Sequence, residues 1–96
     1  MNKRLKKKSD KIRRDAIHAL LDAVLDINGL EPRERVETGE LPTAFMTFSG
    51  HVGTIWIRVH SRGWYPDEDA DFKSDAYAID TRKIREINDT LRIGYL

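Results

Sequence analysis

The stretch Ala44–His60, AFMTFSGHVGTIWIRVH, decides the fold. Two runs rich in β-branched and aromatic residues flank Gly50-His51, and a glycine at the first loop position suits a two-residue type II′ turn. That turn sets a register with Ser49 opposite Val52, Thr47 opposite Thr54, Met46 opposite Ile55 and Phe45 opposite Trp56. Side chains alternate across a strand, so Ala44, Met46, Phe48, Ile55, Ile57 and Val59 share one face. Phe45, Thr47, Thr54, Trp56, Arg58 and His60 share the other. The first set is a core face by composition. The second mixes aromatic, basic and hydroxyl groups and has no need of burial. A slip of one residue would exchange the two faces.

Upstream of the hairpin, Ile12, Ala16, Ile17, Leu20, Leu21, Ala23, Val24 and Ile27 fall on one broad arc at about 100° per residue. Lys11, Asp15, His18, Asp22 and Asp26 fall opposite. The pattern predicts a helix capped by Ser9 or Asp10 and running to about Asn28. Asn28-Gly29-Leu30 is a stop signal in which Leu30 folds back on Leu25. The polar segment 31–43 is long for a bare loop, so a short edge strand near Arg35–Thr38 is expected.

Downstream, Ser61-Arg62-Gly63 ends the hairpin, and Trp64-Tyr65-Pro66 leads into the acidic loop Asp67-Glu68-Asp69-Ala70-Asp71. A third strand is expected over 72–79. Asp80 then caps a second helix reaching about Arg92, with Ile79 and Ile84 as a hydrophobic staple and Ile84, Ile87 and Leu91 as its buried stripe. The expected fold is α+β, a two-layer αβββα domain over residues 9–96. Its three-stranded antiparallel sheet carries both helices on one face. Residues 1–8 lack apolar periodicity and are expected to form a disordered basic arm.

The chain has 96 residues, enough for one modest core, and no cysteine. Disulfides, thiolate metal sites and cysteine nucleophiles are therefore excluded. Together with the lack of a signal peptide, this points to a cytoplasmic setting. No apolar run approaches the roughly 20 residues that span a bilayer, so no membrane partner is expected. The net charge of +1 conceals an asymmetry. Lys3, Arg4, Lys6, Lys7, Lys8, Lys11, Arg13 and Arg14 stand against Asp10 alone in residues 1–14, and the rest of the chain is acidic. A basic arm on an acidic body suggests a polyanion for the arm, although a solvated tail accounts for it equally well.

Chemistry-bearing constellations are sparse. His18, His51 and His60 have no zinc-site spacing. Asp67, Asp69, Asp71 and Asp75 start like a calcium loop, but Phe72 stands where glycine is required and Ala78 where the closing glutamate belongs. Pro66-Asp67 with Asp71-x-Lys73 has the look of a nuclease triad, yet its acids are too close in sequence to come from separate strands. Ser49 and His51 lack an orienting third group. No metal, cofactor or catalytic activity is expected.

The outer sheet face remains. An aromatic Phe45/Trp56 pair with Arg58 and His60 stabilises a sheet, anchors a protein interface, or stacks bases, in that order of preference. Trp64 and Tyr65 either extend that patch or cap the core edge. Asp67, Glu68, Asp69 and Asp71 form an acidic surface suited to a basic groove on another protein. Two functions follow as expectations. The first is a non-enzymatic interaction protein that binds another protein through Phe45, Trp56, Arg58, His60, Trp64 and the acidic loop. The alternative is a small nucleic-acid-binding protein using the Lys3–Arg14 arm and the aromatic face. A monomer and a homodimer both accommodate the pattern.

The order helix, three strands, helix resembles that of the double-stranded-RNA-binding domain, with Pro42, Gly50, His51 and Arg82-Lys83 as faint landmarks. The hairpin loop is too short for that family, and Arg82-Lys83-Ile84-Arg85-Glu86 departs from its basic helix start. The likeness is one of topology, and no RNA contacts are carried over. The stretch from Gly50-His51-Val52 to Gly63-Trp64 resembles small proteins of phages and mobile elements of Gram-positive bacteria. That resemblance implies an accessory role, such as inhibiting or redirecting a host protein.

Overall fold

The computed structural model describes residues 3–96, with side chains from residue 5 onward. Its elements are α1 (Lys3–Asn28), α2 (Arg35–Thr38), β1 (Thr43–Ser49), β2 (Thr54–His60), β3 (Phe72–Tyr77) and α3 (Thr81–Tyr95). The three strands form one antiparallel sheet in the order β1-β2-β3. Both helices pack on one face of it, α1 beside β1 and α3 beside β3. The layout is the expected α+β arrangement.

The hairpin forms, but with a different turn. Ser49 pairs with Thr54, Met46 with Ile57 and Ala44 with Val59. The loop therefore holds four residues, 50–53. Gly53, not Gly50, takes the left-handed conformation (φ +65°), and its N–H donates to the Ser49 carbonyl at 2.8 Å. A two-residue II′ turn needs its positive φ at Gly50, whereas here that conformation falls at the end of the loop. Each pairing moves by two residues, an even number, so no side chain changes face. Ile55, Ile57 and Val59 are fully buried and Ala44 nearly so. Phe48, near the free end of the edge strand, stays 58% exposed. The new register sets Phe45 opposite Arg58 and Trp56 opposite Thr47. The expected Phe45/Trp56 pair is thus diagonal.

α1 buries Ala16, Leu20, Ala23, Val24 and Ile27, with Ile17 at the margin, while Ile12 and Leu21 of the expected arc stay exposed. α3 buries Ile84, Ile87 and Leu91, its whole predicted stripe. These meet the sheet's core face in one cluster, with Met46, Phe72 and Tyr95 at its margin. Each large aliphatic removed from water contributes about 1.5–3 kcal/mol before entropy is counted.

The end of α1 is built differently from the stop signal. Gly29 (φ +68°) donates its N–H to the Leu25 carbonyl at 2.7 Å, but Leu30 remains exposed. Asn28 does the anchoring. Its side-chain amide accepts from the Ala44 N–H at 2.7 Å and donates to the Ala44 carbonyl at 2.8 Å. It stands in for one residue of a further strand. Arg33 completes the junction, donating to the carbonyls of Ile27 and Pro42.

With the β1 edge taken at Ala44, residues 35–38 do not pair as the expected strand. They form the helical turn α2, bonded to the Glu34 carbonyl. At the other helix, Asp80 caps as predicted, accepting from the Lys83 N–H at 3.0 Å. Ile79 is 68% exposed, so the predicted staple on Ile84 is absent.

α1 also begins earlier than expected. Residues 3–8 of the predicted arm are helical, and residues 1 and 2 lie outside the described part. Lys, Arg and Leu are good helix formers, and a preformed helix extends through them at little cost. A helix of 26 residues is about 39 Å long. Asn28 at the start of β1, and the Asp26–Arg92 contact at 3.3 Å, set the C-termini of α1 and α3 at one end of the sheet. The first three turns of α1 therefore project past the hairpin end, and the longest dimension is 53 Å.

Candidate functional site

Both helices cover the same side of the sheet, so the opposite face meets solvent. Alternation brings Phe45 from β1, Trp56, Arg58 and His60 from β2, and Lys73 and Asp75 from β3 to this face. Arg58 stacks on the Trp56 ring, with its guanidinium carbon 4.0 Å from the ring centroid. The same guanidinium donates to the Ile57 carbonyl at 2.7 Å and to the Asp75 carboxylate at 2.9 Å. His60 is nearly buried and meets Phe45 edge-on at 5.7 Å.

The segment 61–71 folds over one end of this face, held by charges that sequence reading left unassigned. Arg35 of α2 donates to both Glu68 carboxylate oxygens, at 3.0 and 2.9 Å, and reaches Glu40 at 3.2 Å. Its guanidinium also lies 5.3 Å from the Tyr65 ring centroid. Arg62 grips Glu40 at 2.8 Å. Hydrogen bonds first from Arg62 and then from Arg35 pull the Glu40 carboxyl down to about 2. Gly63 threads through this cluster at φ +89°, where a β-carbon would lie 3.2 Å from the Leu41 carbonyl oxygen.

Within the acidic loop, Glu68 and Asp69 are matched by cations, from Arg35 and Lys73, while among the described residues Asp67 and Asp71 are not. Asp69 pairs with Lys73, and that hydrogen bond lowers its carboxyl below the ordinary range. Asp71 turns away from the open face. Its carboxylate accepts from the Ser61 N–H at 2.7 Å and from the Tyr95 hydroxyl at 3.4 Å. Partial burial alone would raise the Asp71 carboxyl, but these hydrogen bonds, led by Ser61, bring it lower. Asp67 occupies a turn at φ +68° and forms no ion pair among the described residues.

The result is an open depression of about 450 Å³ lined by Phe45, Trp56, Arg58, His60, Trp64, Glu68, Asp69, Ala70 and Lys73. Seven of the residues singled out from the sequence come together here, and Asp67 and Asp71 do not. Trp64 extends the patch, settling the alternative that the sequence leaves open. Lys73 and the supporting Arg35 and Glu40 carry no local sequence signal, because their roles depend on partners 4 to 33 positions away.

The basic residues lie elsewhere. Lys3 to Arg14 belong to α1, and Lys7, Lys11, Arg14 and His18 border one shallow surface of it together with Asp10 and Asp15. Lys11 pairs with Asp15 at 2.8 Å and Arg13 with Asp10 at 3.4 Å. The hydrogen bond between the first pair raises the Lys11 ammonium and lowers the Asp15 carboxyl. Arg14 is about 21 Å along the axis from Asn28, midway along α1, and the helix lies on the other side of the sheet from the depression. Phosphate contacts by this helix and base stacking on Trp56 therefore belong to separate surfaces.

His18 on α1, His51 in the hairpin loop and His60 in the depression lie on different elements. Among the described residues no three metal-ligating side chains converge, and no described helix is long and apolar enough to cross a membrane. Compared with known protein families, with curated proteins and with solved structures, the chain matches none.

Proposed function

We propose that this protein is an interaction module that binds another protein through its open sheet face. One observation carries the reading. The face that neither helix covers gathers Phe45, Trp56 and Trp64, exposed by 39%, 39% and 50%, around a single depression. Buried aromatic and arginine anchors dominate protein interfaces, whereas isolated exposed rings need no explanation. The charge pattern argues against phosphate on this face. Arg58 is already committed to Asp75 and Lys73 to Asp69, while Glu68 and Asp69 stand on the rim.

The test is quantitative affinity capture from source-cell extract at 150 and 500 mM salt (roughly 8 and 4 Å of screening length) with wild-type protein and Trp64→Ala. A partner held at both salts and lost in Trp64→Ala is the expected result. Equal capture by both proteins overturns the reading.

The basic face of α1 favours a second reading, duplex nucleic acid bound by Lys7, Lys11 and Arg14 on the projecting turns. Its signature is different. Binding of a labelled duplex would weaken with salt at a slope near −0.9 per phosphate contacted. It would vanish on replacing those three residues by glutamine and be indifferent to Trp64→Ala.

A further inference from the structure

We infer, building on the reading of this face as a protein-binding surface, that the depression receives a tyrosine side chain of the partner, its ring among Phe45, Trp56 and Trp64 and its hydroxyl on the His60 imidazole.

His60 motivates the assignment. It is only 9% exposed, yet its ring makes no hydrogen bond among the described residues; it meets Phe45 edge-on and lies near enough to the Asp69 carboxylate to interact with it electrostatically. A neutral imidazole carries one donor and one acceptor, and buried polar groups are as a rule paired. Its nitrogens are not sealed in. Asn88 Oδ1 is the one fully enclosed side-chain polar atom without a partner among the described residues. The His60 nitrogens therefore retain some exposure, and His60 is one of the residues lining the depression. An imidazole with no hydrogen bond to the protein, beside three aromatic rings, offers a donor and an acceptor to an incoming ring that carries a hydrogen-bonding group.

Size and charge narrow the occupant. A volume of about 450 Å³ lies toward the lower end of ligand sites and leaves ample room for one aromatic side chain. The lining charges balance, Arg58 and Lys73 against Glu68 and Asp69. Each of these charges already has a partner, Arg58 with Asp75, Lys73 with Asp69 and Glu68 with Arg35, so neither a lysine ammonium nor a nucleotide phosphate finds an uncommitted counter-charge among them. A neutral phenol suits both the rings and the imidazole. Tyrosine is also a residue that interfaces use as an anchor.

The experiment titrates the full-length protein with N-acetyltyrosinamide, N-acetylphenylalaninamide, N-acetyllysinamide and adenosine monophosphate, following the two indole N–H signals and the His60 ring by NMR. The tyrosine amide should shift all three signals, with a dissociation constant on the order of a millimolar for so small a probe. The phenylalanine amide should bind about fivefold more weakly, the worth of one net hydrogen bond. His60→Phe should abolish that preference, and His60→Gln, which keeps a donor and an acceptor, should restore part of it. Thermal melts establish that both variants fold, and the wild-type ratio decides the matter if either does not.

Equal binding of the tyrosine and phenylalanine amides, or no shift with any probe, overturns this inference. Neither result touches the protein-binding reading if Trp64-dependent capture stands. Adenosine monophosphate binding tighter than the tyrosine amide overturns both.

Discussion

Asn28→Ala should destabilise the fold by about 2–4 kcal/mol, and the figure follows from what the side chain satisfies. Ala44 is 4% exposed, and its N–H and carbonyl both point off the sheet edge to the Asn28 amide, at 2.7 and 2.8 Å. Removing the amide strands two buried backbone groups, each costing about 1–3 kcal/mol when left unpaired. Water entering at the sheet edge brings the sum toward the lower end. For a chain of this length, with a urea slope of about 1 kcal/mol per molar, the midpoint should fall by about 2–4 M. Amide exchange supplies the site-specific check. The Ala44 N–H lies on the free edge of β1, so Asn28 is its protection, and exchange there should accelerate well beyond the global change. A midpoint shift of less than about 0.5 M with unchanged Ala44 exchange would show that Asn28 does not clamp the edge of β1.

Three further outcomes follow from particular contacts. Asn88→Leu should stabilise by about 1 kcal/mol in chemical denaturation, because it replaces a sealed, unpaired Oδ1 on α3 with an apolar group of similar size. Gly63→Ala should cost about 1–2 kcal/mol, since φ +89° disfavours any β-carbon and the new methyl would press on the Leu41 carbonyl oxygen; a thermal melt reads it. Glu40 has its folded carboxyl lowered from 4.5 to about 2, so its contribution is present above pH 4.5 and is lost as pH falls toward 2. The carboxyl should titrate near the lower value by NMR, and Glu40→Gln should remove that part of the acid dependence of stability.

The candidate site was half legible. Period-two alternation in 44–60 separates Phe45, Trp56, Arg58 and His60 from the core set, whatever the turn, provided the register error is even. The turn itself was not legible. Gly50 and Gly53 are both glycines, and only the assembled hairpin, with Ala78 bonded to the Gly53 carbonyl at 2.8 Å, decides which one takes positive φ. The acidic loop read as a surface of free charge. Its electrostatics instead depend on Arg35, Lys73 and the Ser61 N–H, partners that composition cannot assign.

What the sequence determined by itself was local and periodic. The faces of α1 and α3, the Asp80 cap and the core faces of the strands follow from 3.6- and 2-residue repeats and from capping chemistry within a few positions. What the tertiary structure decided was every relation between distant residues. The Asn28 clamp on Ala44 spans 16 positions and the Arg35–Glu68 bond 33. The projection of basic α1 away from the aromatic face, and the unpaired imidazole of His60 in its bowl, exist only once the layers are stacked. The physical reason is that a helix or strand pattern is written in its own neighbours, whereas a site is made of side chains brought together by burial of the other face.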